Sequence, residues 1–290
     1  MKRITLLLSL VLMLSVVSGC ASKEKQDLKS IDIAGSTIMQ PLVQEVANLY
    51  NMTNQDIKIS VGGGGSLEGL KGLIAGTYNM VNSDVKADEL LTAAEAGTLL
   101  GQETCAIGIG TIIDTKFTTE MSGVTQQQLV EIFTGKITNW KGVGGPDLAI
   151  TVINRPAQSS IRALFEKWGT GGAKTVEGNT SLQTDDTATL IKNINATKGS
   201  IAYLEIPYLF ENTDKVASLY IDNVEPSLEN IYNGSYKIWG YEYVYSKKDA
   251  SEQVSRFITY LKSEQVEGQI ESMNFGVISK LSAKALKERQ

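Results

Sequence analysis

Short β-branched and aromatic runs alternate with segments of helical period along most of the chain, and this alternation restricts the fold more than any other feature. Such alternation predicts α/β layers with largely parallel sheets. Seven runs are candidate strands: Ile31–Ala34, Ile57–Val61, Tyr78–Val81, Cys105–Ile113, Ala149–Asn154, Ser200–Leu204 and Ile238–Ser246. Two of them, Cys105–Ile113 and Ile238–Ser246, are long and apolar, so we expect them to cross between two lobes.

Apolar residues at helical spacing fill the intervals between these strands. Thr125 and Gln128 have the spacing of a capping box, which predicts a helix start. Another helix is expected to start near Val254 and to continue to about Met273, followed by a basic tail. The remaining helical faces are formed by Leu42, Val43, Val46 and Leu49, by Leu67, Leu70, Leu73 and Ile74, by Leu129, Ile132 and Phe133, and by Ile161, Leu164, Phe165 and Trp168.

The first 19 residues have the pattern of a signal peptide. Lys2 and Arg3 precede an apolar run from Ile4 to Val17, which is too short to span a membrane. The following letters VSGC resemble the bacterial lipobox, which implies that Cys20 is diacylated and anchors the protein to the outer face of a membrane. Residues 20–30 are then a polar tether. The alternative is an ordinary secretory signal beside a coincidental cysteine.

The chain contains no histidine and only two cysteines, Cys20 and Cys105. Nucleophiles activated by histidine, zinc sites that need histidine or four thiolates, and a disulfide scaffold are therefore excluded. Cys105 lies in an apolar context, so we expect a buried small side chain and not a reactive thiol. Signal-peptide removal takes away Lys2 and Arg3 and no acidic residue, so the formal charge falls by two, from −5 to −7. This acidity argues against nucleic acid as a partner.

Three candidate helix starts, each directly after a candidate strand, are rich in hydroxyl groups or glycine. Their sequences are GSTI at residues 35–38, GGGGS at residues 62–66 and RPAQSSI at residues 155–161. A helix N-terminus exposes unpaired N–H groups and partial positive charge, so each is a candidate oxyanion seat. Each is also explained by ordinary helix capping. The glycine-rich segment lacks the Lys-Ser/Thr ending of a P-loop, and no dinucleotide fingerprint follows a strand.

In collinear order, several stretches of the chain resemble the phosphate-binding lipoproteins of phosphate ABC transporters (the PstS family). These stretches are IDIAGSTIMQPL, IKISVGGGGSLEGLKGLIAGTYNMVNSD, VTQQQLVEIFTGKITNWKGV, RPAQSSIR, KGSIAYLE and NGSYKIWGYEYVYSK. The segment LVEIFTGKITNW is the most specific. The resemblance implies an α/β type II periplasmic-binding-protein fold with two lobes, two mixed sheets flanked by helices and a two-strand hinge. Lobe 1 would comprise residues 31–104 and 239–290, and lobe 2 residues 105–238.

The resemblance also implies a ligand site, formed by Ser36, Thr37, Ile38, Ser66, Asp84, Arg155, Ser159, Ser160 and Ile161. Ile38 would contribute its backbone N–H. The chemistry is consistent, because a guanidinium offers several donors in a fork that fits tetrahedral oxygens. Asp84 can accept the proton that phosphate carries near neutral pH and sulfate lacks, so a carboxylate could select the protonated anion.

Three positions depart from the family pattern. Ile161 replaces a threonine, Gln158 replaces an acidic residue, and Glu68 places a negative charge near the second helix start. Glu68 would weaken anion binding unless it is paired or turned to solvent. The departures leave open another oxyanion, such as sulfate, molybdate or tungstate, or a lipoprotein that has lost its ligand. A phosphate-ester hydrolase with Ser66 or Ser159 as nucleophile and Asp84 as base is the enzymatic alternative.

The function that the resemblance implies is extracytoplasmic capture of inorganic phosphate between the lobes. The closed form would present phosphate to the permease subunits of an ABC importer, which is driven by a cytoplasmic ATPase. We expect a monomer without enzymatic activity, cofactor or metal, attached to the membrane only through the lipid at Cys20.

Overall fold

The computed structural model describes residues 30–118, 120–178 and 182–289, so the predicted signal peptide, Cys20 and nearly all of the tether lie outside the described residues. The strands within these ranges are β1 Ser30–Gly35, β2 Lys58–Gly64, β3 Met80–Ser83, β4 Leu99–Asp114, β5 Gly123–Val124, β6 Thr151–Val152, β7 Ser200–Glu205, β8 Val216–Ile221 and β9 Trp239–Lys247. The helices are α1 Met39–Asn51, α2 Ser66–Ala75, α3 Ala93–Ala96, α4 Gln126–Phe133, α5 Ser160–Trp168, α6 Thr187–Ala196, α7 Ile206–Glu211, α8 Leu228–Tyr232, α9 Glu252–Leu261, α10 Glu267–Ser272 and α11 Ala283–Lys287.

The strands form two mixed sheets that share β4. The main order is β2-β1-β3-β9-β4-β7-β6, with β8 also beside β4 and β5 beside β8. Strand β1 is parallel to β2 and β3, whereas β9 runs antiparallel to β3 and β4. Strand β4 pairs with β9 over Leu99–Gly108 and with β7 over Ile109–Ile112. The α/β class is confirmed, but the sheets are less parallel than the alternation predicted, because β9 runs antiparallel to β3 and β4, and β4 runs antiparallel to β7 and β8.

Each predicted strand overlaps an observed one, although the fifth along the chain is much shorter than predicted. Strand β6 covers only Thr151–Val152 of the predicted Ala149–Asn154. The Ile153 N–H still donates to the Ile201 carbonyl at 2.9 Å, but the side chain of Asn154 then replaces strand pairing with bonds to other elements. Strands β5 and β8 were not predicted.

The long C-terminal helix predicted from Val254 to about Met273 is wrong. Helix α9 ends at Leu261, and α10 starts only at Glu267. Ser263 takes an extended conformation, and its hydroxyl donates to the Tyr260 carbonyl at 2.8 Å, which closes the end of α9. The pattern suggested one helix because Val266 and Ile270 are buried and keep the helical spacing of α9.

The hydrophobic core extends on both sides of the shared sheet. The predicted face of α1 is buried through Leu42, Val43 and Val46, and Cys105 is fully buried as expected. Close packing also positions the loops: a Cβ on Gly69 of α2 would lie 2.6 Å from the Gly35 Cα, so glycine lets the α2 start approach the end of β1. In the described ranges, no helix is both long and apolar enough to span a bilayer.

Candidate functional site

The loops at the starts of α1, α2 and α5 converge on a cavity of about 420 Å³ between the two halves of the molecule. The lining combines hydroxyl groups, carboxylates and one arginine. Its residues are Thr37, Ile38, Gly65, Asp84, Arg155, Ser159, Ser160, Ile161, Asp185, Asp186, Thr187, Ala188, Ile191, Glu205, Tyr208 and Asn212. All the predicted site residues except Ser36 and Ser66 are therefore part of this lining.

Ser36 lies beneath the first loop and not on the cavity wall. Its side chain is fully buried, and its hydroxyl accepts the N–H groups of Ile38 and Met39 at 3.2 and 3.1 Å. Ser36 thus caps the start of α1 and takes up the Ile38 N–H that was predicted to face a ligand. Thr37 and the Ile38 side chain remain at the cavity.

Ser66 also acts one step away from the cavity, through Asp84. The Ser66 hydroxyl donates to Asp84 Oδ2 and accepts the Asp84 N–H, both at 3.1 Å. The preceding Gly65 has a φ of +90°, and its N–H donates to the Gly35 carbonyl at 2.8 Å. This left-handed conformation favours glycine, which explains why the sequence has a glycine run before Ser66.

Asp84 lies directly after β3 and is buried on the floor of the cavity, with 2 % of its surface exposed. Its Oδ2 accepts hydrogen bonds from Ser66 of α2 and from Ser160 of α5. Its Oδ1 is buried and has no hydrogen-bond partner among the described residues. An anion that enters the cavity therefore meets a carboxylate held between two serine hydroxyls.

Arg155 is placed by the residue before it. Asn154 is fully buried; its Nδ2 donates to Thr175 Oγ1 and to the Val176 carbonyl. Its Oδ1 accepts the Arg155 N–H and the Tyr203 hydroxyl. Because all four hydrogen-bonding positions of this amide are used, the loop between β6 and α5 is held rigidly.

The Arg155 guanidinium is 97 % buried yet incompletely paired. Nη2 donates to Glu205 Oε2 at 3.0 Å, and Nη1 donates to the carbonyl and carboxylate of Asp185. Nε has no acceptor within the part of the chain that the structure describes. Burial by itself lowers the pKa of Arg155, but Glu205, Tyr203 and Asp185 together outweigh it and raise that pKa above its usual value. The site therefore keeps a permanent positive charge.

Helix α5 adds donors on the same wall. Ser159 caps the helix, because its hydroxyl accepts the Arg162 N–H at 3.4 Å. The N–H groups of Ser160 and Ile161 belong to the first turn and have no carbonyl partner within their own helix. The missing threonine hydroxyl at Ile161 therefore leaves the backbone donors of this helix start in place.

Three acidic groups and one more helix start were not predicted. Glu205 ends β7 and pairs with Arg155, and Asp185 and Asp186 precede α6. The segment TDDTAT shows the same pattern as the three recognised loops, with Asp186 as the helix cap and Thr187 next to it. It was missed because no candidate strand comes directly before it, although Thr187 lies in the cavity wall.

Glu68, which was expected to weaken anion binding unless paired or solvated, lies outside the cavity lining and is exposed. Its carboxylate forms an ion pair with Lys71 Nζ at 3.0 Å, and both side chains are more than half exposed. Neither residue lines the cavity. A solvated, paired charge has a weak field at the site, so Glu68 gives no reason to expect loss of the ligand.

Two sheets joined by two long strands, with a polar cavity at the ends of strands between them, define the class of two-lobed binding proteins with the type II periplasmic fold. A family model described as "PBP superfamily domain" matches residues 21–265. The phosphate-binding protein PstS of Bacillus subtilis is 36 % identical over 253 residues, which cover 87 % of this chain and 82 % of the relative. The chain belongs to the PBP superfamily and, within it, to the PstS family.

More distant relatives and solved structures are also phosphate-binding or phosphate-transport proteins by name. The phosphate-binding protein PstS of Borreliella burgdorferi is 26 % identical over 282 residues, covering 95 % of this chain and 98 % of the relative. A Clostridium perfringens structure, described as a phosphate ABC transporter substrate-binding protein with bound phosphate, has a TM-score of 0.72 and 26 % identity. It matches 85 % of this chain and 98 % of its own. A Vibrio cholerae ABC-type phosphate transport receptor has a TM-score of 0.68 at 26 % identity, matching 84 % and 98 %.

Proposed function

We propose that this protein captures inorganic phosphate in the cavity between its lobes and delivers it to an ABC importer. The names of its relatives support this proposal, and so does the bound phosphate of the Clostridium structure. The proposed lobes are residues 31–104 with 239–290, and residues 105–238. Strands β4 and β9 would be the hinge, since each is long and continuous and they pair with each other.

The observation that carries the proposal is the Asp84 carboxyl group on the floor of a site built otherwise for an anion. Ser66 and Ser160 both donate to one of its oxygens and hold it in place as a hydrogen-bond acceptor. A carboxylate repels an anion unless that anion brings a proton to share. Hydrogen phosphate and dihydrogen phosphate carry such a proton near neutral pH, whereas sulfate does not, so Asp84 favours phosphate.

The proposed contacts on the other side of the cavity supply positive charge and donors. Arg155 has an unused Nε donor, and the first turn of α5 offers the N–H groups of Ser160 and Ile161. The positive end of this nine-residue helix adds to the attraction. Thr37, Ile38 and Ser159 complete the proposed contact set, with Ser36 and Ser66 holding the loops in position.

The cellular setting follows from the N-terminal sequence and the family. We propose an extracytoplasmic lipoprotein attached to the membrane through Cys20, acting as a monomer beside the permease subunits and their cytoplasmic ATPase. No catalysis is proposed: the chain has no histidine, and no group of three acidic or cysteine side chains in the described ranges is arranged to hold a metal. Ser66 is bonded to Asp84 beneath the cavity wall, which does not suit a nucleophile.

Titration calorimetry on dialysed protein tests the ligand. We expect saturable heat with phosphate and none with sulfate at the same concentrations; saturable binding of tungstate or molybdate without phosphate binding would contradict the proposal. Asp84→Asn should lower phosphate affinity about tenfold or more and allow measurable sulfate binding, because the amide can donate to an unprotonated oxygen.

Asp88→Asn is the matched control for this substitution. Asp88 is an exposed acid four residues further on, outside the cavity lining, so it removes the same charge without touching the site. Its phosphate affinity should equal that of the unmodified protein. If Asp84→Asn left the phosphate-to-sulfate ratio unchanged, Asp84 would have no part in selection.

A further inference from the structure

Glu242 is a buried carboxyl group that the proposed binding mechanism leaves unused. It lies in the middle of β9, and none of its surface is exposed. Both carboxyl oxygens are buried without a donor from the described residues. Its backbone carbonyl accepts the Thr104 hydroxyl at 3.1 Å. An isolated carboxylate in such a place is very unfavourable, so this group needs either a cation or a proton.

The sheet register places Glu242 beside Asp84. In the antiparallel pairing of β3 with β9, Ser83 lies opposite Tyr243, so the next residue of each strand brings Asp84 opposite Glu242. Side chains of directly opposed residues lie on the same face and within contact distance. The buried oxygens without a donor, Asp84 Oδ1 and both oxygens of Glu242, therefore belong to neighbouring side chains, and a proton on one carboxyl group supplies the hydrogen-bond donor that both lack. Two carboxylates cannot form such a bond, because both would only accept.

The surroundings of Glu242 are negative or neutral. The titratable groups that face it are Asp84 after β3, Glu205 at the end of β7 and the Cys105 thiol on β4. Arg155, the buried cation of the cavity lining, is already paired with Glu205. Burial raises the pKa of Glu242 well above its usual range, and the charges of Asp84 and Glu205 act in the same direction.

The hydrogen-bond partners of the two carboxyl groups differ. Asp84 Oδ2 accepts from Ser66 and from Ser160. Glu242 receives no such bond from the described part of the chain. The remaining buried oxygen of Asp84, Oδ1, is the one left without a donor. A proton on Glu242 satisfies Asp84 Oδ1 and removes the second negative charge at once.

We propose that Glu242 is protonated and donates to Asp84, and that it is a positioning and specificity-determining residue for the protonated oxyanion. This inference rests on the proposed function. With Oδ1 held by Glu242 and Oδ2 by Ser66 and Ser160, the Asp84 carboxylate is fixed in one orientation and stays an acceptor for the ligand's O–H. If Glu242 were ionised, two adjacent negative charges would oppose every anion, whether protonated or not.

Glu242→Gln and Glu242→Ala separate the two charge states. Glutamine is neutral and keeps a donor, so its phosphate affinity at neutral pH should stay within about threefold of the unmodified protein. Alanine removes the donor and should weaken phosphate binding about tenfold or more and reduce discrimination against sulfate. Glu68→Gln, an exposed and paired glutamate outside the cavity, is the control and should change neither value. Phosphate affinity at least about tenfold higher in Glu242→Gln would overturn the proposal, since it would reveal a lost negative charge; a tenfold loss would equally overturn it.

Two further readouts keep the proposal falsifiable if Glu242→Ala does not fold. The infrared spectrum of Glu242→Gln is subtracted from that of the unmodified protein, both without ligand. The difference should contain the C=O band of a protonated carboxylic acid, which the variant lacks. Its absence would overturn the proposal. Phosphate affinity is also compared between the unmodified protein and Glu242→Gln from about pH 6 to about pH 9. The two affinities should stay nearly equal until Glu242 starts to ionise, and above that pH the Glu242→Gln variant should bind phosphate more tightly. A protein that binds no phosphate would refute the proposed function alone, because the infrared measurement needs no ligand.

Discussion

Arg155, in the loop before α5, and Arg162, on α5, have almost the same surroundings but differ in how many of their hydrogen-bond donors are used. Arg155 and Arg162 are seven residues apart, both are buried, and each is paired with carboxylates. All the donors of Arg162 are used: Nε bonds Glu166, and the two terminal nitrogens bond Glu177 and the carbonyls of Arg155 and Thr175. Arg155 leaves Nε without an acceptor in the described ranges, and its partner Glu205 leaves Oε1 bare.

This difference separates a structural ion pair from a binding one. Buried polar groups are normally satisfied, and each exception needs an explanation. Arg162 clamps the backbone of the loop, including the carbonyl of Arg155, and has nothing left to offer a ligand. Arg155 faces the cavity with spare capacity. The three predictions that follow would break or sharpen this comparison.

Arg162→Met should have the largest effect, and it should be an effect on stability. Removing one partner of a buried ion pair leaves Glu166 with the exposed Lys174 as its remaining cation, so we expect a loss of about 3–5 kcal/mol in the free energy of unfolding. Denaturant unfolding without ligand measures this loss. The variant that remains folded should bind phosphate within a few-fold of the unmodified protein. A loss of affinity with unchanged stability would reverse the assigned roles.

Arg155→Met should affect binding first. Loss of the cavity-facing guanidinium removes charge-assisted hydrogen bonds to the anion, and we expect a loss of about 100-fold or more in phosphate affinity. Calorimetry measures the affinity, and circular dichroism checks the fold. Glu205 can take up a proton when its partner is removed, since burial already raises its pKa against the opposing effect of Arg155. Affinity close to that of the unmodified protein would rule out Arg155 as a ligand contact.

Acid should destabilise the fold by protonating Glu166, the buried partner of Arg162. Burial by itself raises the pKa of Glu166, but hydrogen bonds from Lys174, Thr175 and Arg162 lower it to about 2. Because the folded-state pKa lies below the unfolded one, the stabilisation is fully present above about pH 4.5 and is lost as the pH falls towards 2. Glu166→Gln should therefore cost roughly 2–3 kcal/mol at neutral pH, and the difference should shrink below about pH 4.

The control for this pH series is Glu264→Gln, an exposed glutamate on the surface. Its unfolding free energy should follow that of the unmodified protein at every pH. A constant deficit for Glu166→Gln down to about pH 2 would show that the Glu166 carboxyl group is not held ionised by its neighbours.

Local pattern predicted the class of fold and most of its elements. The candidate strands all overlap observed ones, and Thr125 and Gln128 form the predicted capping box at α4. The pattern failed where the same spacing fits two structures: Val266 lies directly before the short helix α10 and Ile270 within it, and both are buried without belonging to an extension of α9. Helical periodicity reports which face is buried, and it does not reveal a break that preserves the phase.

The candidate site shows the same limit. Thr37, Asp84, Arg155 and Ser160 were all identified and do converge on the cavity. Ser36 was predicted to face the ligand, but it lies beneath the cavity wall and bonds the start of its own helix. A hydroxyl at a helix start can do either, and the sequence is the same in both cases. Glu205 and Thr187 were missed because their partners lie far away in the chain.

The sequence by itself determined the alternation of strands and helices, the oxyanion-type helix starts and the absence of histidine chemistry. These are properties of neighbouring residues, which short-range geometry links to structure. Only the tertiary structure decided which charged groups have all their hydrogen bonds filled and which do not. Arg155 and Arg162 differ by what the rest of the chain brings to them, and Glu242 meets Asp84 only because β9 pairs with β3. Hydrogen-bond completion is a property of the assembled interior, so no local pattern encodes it.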